Sequence, residues 1–204
     1  MPDTTTTIVF YRHIPNIITF LRLLITPLAY FFITRGFFDY AFCCFALAGI
    51  SDGIDGYLAR RWNVISKFGR IFDPIADKAL MFITFVTLGI ADKLPLWLVI
   101  LVISRDTLII LSGFFTFLFK FPIQFLPVWS SKINTFFQII LIGTVLVAQT
   151  NYYSMIVPEF IQTQLIKLLI LITALTTVWS GAEYGLYFIK QLHRLYAREK
   201  DAPK

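Results

Sequence analysis

Four aspartates, Asp52, Asp55, Asp73 and Asp77, stand in a chain of 204 residues that is 57% hydrophobic and only 15% charged. An ionised carboxylate at mid-bilayer costs about 3 kcal/mol on insertion scales, so four in such a setting need a shared compensating cation. Asp52 and Asp55 are three apart and Asp73 and Asp77 four apart, so on helices each pair occupies one face. A short loop over 61–70 brings the two faces around one small volume. Carboxylate oxygens in that arrangement suit a hard divalent ion, Mg²⁺, Mn²⁺ or Ca²⁺. Gly53, Gly56 and Gly69 remove side chains beside the carboxylates and leave room for a bulky ligand. Arg60, four residues after Gly56, carries the planar fork that grips phosphate. Together these groups describe phosphoryl transfer on a phosphate-bearing substrate. Ion pairing of the aspartates with Arg60, Arg61, Arg70 and Lys78 is the plainer alternative, and it leaves the paired spacing and the three glycines unexplained. Pro74 marks either a helix start or a local break.

The elements that hold these residues follow from hydropathy. A mean hydropathy of +0.74 leaves too little polar surface for a soluble domain of this size, so the chain reads as an integral membrane protein. Six apolar stretches approach or exceed the roughly 20 residues a spanning helix needs, at about 15–34, 40–60, 71–90, 94–118, 132–149 and 164–189. They are continuous rather than alternating, which selects helices over barrel strands. The expected fold is all-α, one domain over 1–204, with six transmembrane helices and a basic tail from about 190. Of 18 Lys and Arg, only Arg35, Lys93 and Lys167 fall at the odd-numbered loops, which places both termini in the cytoplasm. The aspartate cluster then lies at the cytoplasmic ends of the second and third spans.

Residues 8–14, "IVFYRHI", mix aromatic, apolar and basic side chains as an interfacial segment does. The first stretch is too long for a signal h-region and residues 1–11 contain no Arg, so no cleavage is expected and a bacterial cytoplasmic membrane is the expected location. The net charge of +6 is spread along helix ends without a groove-reading motif, which argues for anionic lipid headgroups and against nucleic acid. Adjacent Cys43 and Cys44 in an apolar helix match no zinc spacing and read as packing residues.

The stretch from Asp52 to Asp77 reads D-x2-D-G-x2-A-R-x8-G-x3-D-x3-D, through Asp52, Asp55, Gly56, Ala59, Arg60, Gly69, Asp73 and Asp77. This resembles the signature of the CDP-alcohol phosphotransferases, and the similarity extends to the six-helix layout of that family, whose members are typically homodimers. The resemblance implies a CDP-linked lipid, usually CDP-diacylglycerol, bound with its pyrophosphate on Mg²⁺ or Mn²⁺. It implies attack by an alcohol on the lipid-side phosphorus and departure of CMP. Carried over, Asp52, Asp55 and Asp73 are metal ligands, Asp77 is both ligand and general base, and Gly56, Ala59, Arg60 and Gly69 line the CDP pocket.

Two flanking segments narrow the branch. "IPNIITFLR" at 14–22 resembles the N-x2-T-x2-R pattern of the family's first helix, which adds Asn16, Thr19 and Arg22 to the CDP-lipid site. Capping and internal hydrogen bonding serve equally for Asn16 and Thr19. "ISRD" at 103–106 and "SSKINT" at 130–135 resemble the branch of phosphatidylglycerophosphate synthases and cardiolipin synthases, and place Arg105 and Lys132 on the acceptor's phosphate. Snorkelling at the interface is the alternative for both. Glycerophosphate-using relatives carry a second Arg and a second Lys where this chain has Gly113 and Asn134. A dianionic monoester needs several cations and a monoanionic diester fewer. The expected acceptor is therefore phosphatidylglycerol, giving cardiolipin and CMP, with glycerol 3-phosphate as the alternative. A transporter or proton pathway would spread ionisable groups through the bilayer depth, whereas here they gather on two helices.

Overall fold

The computed structural model describes the backbone of residues 21–62, 67–118 and 129–200, and side chains within these ranges except at 52–77, 113–118, 151, 154 and 191–200. Asn16, Thr19 and the segment 8–14 fall outside the described residues. All regular structure among the described residues is helical: α1 (Leu21–Thr34), α2 (Phe38–Trp62), α3 (Lys67–Ile90), α4 (Leu96–Leu118), α5 (Trp129–Ala148), the short α6 (Asn151–Ile156) and α7 (Glu159–Lys200). Two of these, Trp129–Ala148 and α7 over Glu159–Lys190, are long and apolar enough to cross a membrane.

The helix ends show why the breaks fall where they do. α1 stops at Gly36, whose φ of 76° closes a Schellman turn: the Phe37 amide donates to the Phe32 carbonyl at 2.8 Å and the Gly36 amide to Ile33 at 3.1 Å. α3 ends the same way with Asp92 at φ 56°, the Lys93 amide donating to the Leu88 carbonyl at 2.9 Å. Leu88 and Leu94, on either side of the turn, are both buried, and the Leu94 amide also donates to the Leu88 carbonyl at 3.2 Å. Pro95 then opens α4, its carbonyl accepting from Leu98 and Val99. Thr150 caps α6, and Pro158 opens α7 in the same manner as Pro95. Pro74 neither starts nor ends a helix, because α3 begins seven residues earlier and continues to Ile90. α7 runs on to Lys200, well past the expected end near 189, since no Gly or Pro after Gly185 interrupts it.

The chain packs as two compact units. One comprises residues 1–94 and 142–162, the other residues 95–141 and 163–204. In the first, Ala29, Ile33, Ala41, Phe45, Ala48, Phe85 and Leu88 are buried, while Leu28, Tyr40, Leu47 and Phe82 face outward. The second buries Leu98, Val102, Leu141 and Leu169 together with a set of polar side chains. Ser130, Asn134, Gln138, Thr173, Thr177 and Ser180 are buried, and Phe136, Ile139, Leu168, Leu171, Leu175 and Trp179 are exposed. Polar inside and apolar outside is the arrangement hydrocarbon surroundings favour, because buried hydroxyls and amides bind one another across helices and the surface needs no water.

Candidate functional site

The first unit carries the aspartates. α2 and α3 have 25 and 24 residues and are joined by four, and the Lys93 ammonium just past α3 lies 5.7 Å from the ring centroid of Phe38 at the start of α2. The pair is therefore antiparallel and of matched length. Asp55 and Asp73 stand seven and six residues from the connection, Asp52 and Asp77 both ten. At 1.5 Å per residue that is about 10 Å for the inner pair and about 15 Å for the outer pair. Asp52 and Asp55 thus lie three apart along α2, and Asp73 and Asp77 four apart along α3, at similar distances from the connection. Gly56, Ala59 and Arg60 share α2 with the first pair, and Gly69 shares α3 with the second. By chemistry, four carboxylates are a donor set suited to a divalent cation such as Mg²⁺ or Mn²⁺. Arg22, the second described residue of α1, is 1% exposed in the same unit, although arginine is rarely buried without a charge or dipole to hold it.

The second unit carries Arg105, near the middle of α4 and 4% exposed. Its Nη1 lies 2.6 Å from Asp106 Oδ1. Its Nη2 donates to Ser131 Oγ on α5 at 2.8 Å and to Ser180 Oγ on α7. The Tyr184 ring lies under the guanidinium at 5.8 Å. One N–H, at Nε, is buried without a partner. One turn further along α5, Asn134 Oδ1 accepts from Thr176 at 3.1 Å and Thr177 at 2.8 Å. Ascending α5 from Ser131 to Asn134 corresponds to descending α7 from Ser180 to Thr177, so these helices run antiparallel along a polar seam. Lys132 is elsewhere: it is exposed, and its ammonium sits 5.0 Å from the Trp129 ring centroid, so Ser131 and not Lys132 supplies the α5 contact to Arg105.

Ser131, Ser180, Tyr184 and Asp106 were not singled out from the sequence. The signal existed in part: Ser130, Asn134 and Gln138 recur every four residues in an apolar helix, as do Thr173 and Thr177. That periodicity marks a buried polar face, and it does not say which faces meet.

Residues 12–179 match the family model described as CDP-alcohol phosphatidyltransferase, a span that contains all four aspartates, Arg60, Arg105 and Lys132. The chain belongs to that family of transferases. It is 33% identical over 190 residues to human cardiolipin synthase (CMP-forming), covering 85% of this chain and 61% of that protein. It is 40% identical over 112 residues to a CDP-diacylglycerol–glycerol-3-phosphate 3-phosphatidyltransferase of Cereibacter sphaeroides, covering 52% and 50%. The corresponding transferase of Rickettsia felis is 32% identical over 130 residues, covering 62% of this chain and 71% of that protein. The chain thus spans less than two thirds of the human relative's length, and phospholipid synthesis is common to these relatives while the acceptor differs.

Proposed function

We propose that this protein transfers a phosphatidyl group from CDP-diacylglycerol to a hydroxyl of phosphatidylglycerol, giving cardiolipin and CMP. The observation that carries this reading is that Asp52 and Asp55 lie on α2 and Asp73 and Asp77 on α3, at helical spacings of three and four, within a chain of the CDP-alcohol phosphatidyltransferase family. Asp52, Asp55, Asp73 and Asp77 would hold Mg²⁺ or Mn²⁺, which when bound neutralises the pyrophosphate and polarises its phosphoryl oxygen. Arg60, Gly56, Ala59 and Gly69, with Asn16, Thr19 and Arg22, bind the cytidine diphosphate portion. Asp77 takes the proton of the attacking hydroxyl. A new bond forms between the acceptor oxygen and the lipid-side phosphorus, the bond from that phosphorus to the bridging oxygen breaks, and CMP carries the electron pair away.

The state of Arg105 favours a lipid acceptor. Three of its contacts go to Asp106, Ser131 and Ser180, and Asp106 offsets its charge. What is left suits one oxygen of a monoanionic diester better than a dianionic monoester, which needs several cations. Lys132, exposed beside Trp129, serves as a peripheral cation for the same headgroup. The Cereibacter and Rickettsia relatives favour glycerol 3-phosphate instead. Purified protein given labelled CDP-diacylglycerol, Mg²⁺ or Mn²⁺ and either acceptor decides between them. Cardiolipin from phosphatidylglycerol supports the proposal, and phosphatidylglycerophosphate from glycerol 3-phosphate overturns the acceptor while keeping the transferase.

The same reading has six spans, α1 to α5 and α7, with both termini and the aspartates on the cytoplasmic side, supported by the distribution of Lys and Arg. It also has a homodimer, supported by the family resemblance alone. A bacterial cytoplasmic membrane is the proposed location, supported by the resemblance to the bacterial transferases of Cereibacter and Rickettsia. Labelling of single cysteines introduced at 35, 93 and 157 from one side of sealed vesicles tests the orientation: all three must react from the side opposite the aspartates.

A further inference from the structure

Arg105 also forms part of the wall of a cleft of about 590 Å³ between α4 and α7, bounded by residues between Leu101 and Ser112 on one helix and between Thr177 and Phe188 on the other. Each wall is about 16 Å long at helical rise. Most of the α7 wall lies beyond residue 179, where the match to the family ends. The cleft opens outward, since Leu108 and Val178 on its rims are 66% and 56% exposed. Its two glycines differ in what they do. A Cβ at Gly181 would rest on the Arg105 side chain at 3.6 Å, so this glycine brings α7 close to the arginine, whereas a Cβ at Gly185 would meet nothing within 4 Å and the space beside it is open.

The cleft therefore has two chemical parts. Leu108, Ile109, Val178 and Phe188 give it an apolar bed, and Arg105 gives it a charged head whose Nε–H is buried and without a partner. An apolar helix from a second copy would fill the bed and leave that donor unpaired, which is costly away from water. An amphiphile with hydrocarbon at one end and a phosphate diester at the other satisfies both parts. We propose that this cleft holds one acyl chain of a phospholipid whose phosphate diester accepts a hydrogen bond from Arg105 Nε. The inference rests on the acceptor reading of Arg105 and extends it from headgroup to chain. Because lipid tails are as apolar as the cleft, the chain itself gains little by leaving the bilayer, so selection comes from the phosphate.

The test is photo-cross-linking of the full chain in non-ionic detergent with phosphatidylglycerol carrying a diazirine on one acyl chain, followed by peptide mapping. Adducts are expected to concentrate on residues 101–112 and 177–188. Gly185→Leu, which fills the open space, should lower them at least tenfold, and so should Leu108→Trp on the opposite rim, where the side chain is mostly exposed. Unlabelled phosphatidylglycerol should suppress the adducts, while diacylglycerol of the same chains and glycerol 3-phosphate should not. The proposal is overturned by adducts spread evenly over the outward faces of α5 and α7. Equal labelling of both variants, suppression by diacylglycerol, or cross-links joining two copies through the cleft would overturn it as well. Absence of adducts in the unsubstituted protein with phosphatidylglycerol turnover intact sinks the cleft alone; turnover with glycerol 3-phosphate only sinks the acceptor reading alone.

Discussion

The two charged regions of this protein handle charge in apolar surroundings in opposite ways. On α2 and α3 four aspartates stand three and four residues apart at similar distances from the connection, and in the proposed function their charge is offset by a bound divalent cation. At Arg105 the compensation is internal: Asp106 beside it, hydroxyls from α5 and α7, and an aromatic face. A site that borrows its counter-charge is a reactive site, whereas one that brings its own is a positioning site with little affinity to spare.

Substitutions sharpen that contrast, and the largest effect is expected at Asp77. Asp77→Asn removes the base yet keeps an oxygen in place, so turnover should fall by about 10²–10⁴-fold with CDP-diacylglycerol binding largely kept. Turnover equal to the parent, measured as CMP release, removes Asp77 from the chemistry. Arg105→Ala comes next and acts on stability. It removes the ion pair to Asp106 and the donor to two hydroxyls, and breaking a buried pair costs about 3–5 kcal/mol, so the loss should be visible as a lowered midpoint of thermal unfolding in detergent. The double variant Arg105→Ala with Asp106→Ala should recover part of that loss, and simple additivity would show that the pair is not coupled.

Arg60→Lys is expected to weaken CDP-diacylglycerol binding by about tenfold through the lost bidentate geometry; unchanged affinity in a direct binding assay refutes the assignment. Asn134→Leu should cost only about 0.6–1.7 kcal/mol. Thr176 and Thr177 also donate to the carbonyls of Ile172 and Thr173, at 2.9 and 2.6 Å, and keep a partner when the amide goes. The smallest effect is a gain. Asp92 holds φ at 56°, and Asp92→Gly relieves that conformation, so a stabilisation of about 0.5–1 kcal/mol is expected provided the backbone does not change.

Much of the framework was legible in the residues. Gly36, Pro95, Thr150 and Pro158 punctuate the chain at the helix boundaries, and the aspartate spacings of three and four require helices and find them. Pro74 left its helix ambiguous, because a proline suits a first turn as well as a tolerated interior position, and only the continuous α3 shows the latter. Lys132 and Arg105 looked alike as basic residues near one membrane face. Their difference is rotational: on α5 Ser131 faces the arginine, and the next residue, about 100° around the helix, faces out beside Trp129.

The sequence by itself determined the apolar helical character, the family and the helical spacing of the aspartates, because each depends on residue type and on spacings within a few turns of one chain segment. Tertiary structure alone decided that Asn134 ties α5 to α7, that Ser131 and Ser180 hold Arg105, and that Gly185 leaves a cleft open beside it. Those contacts join residues 26 to 75 positions apart, and local periodicity fixes which residues share a helix face without fixing which face it meets.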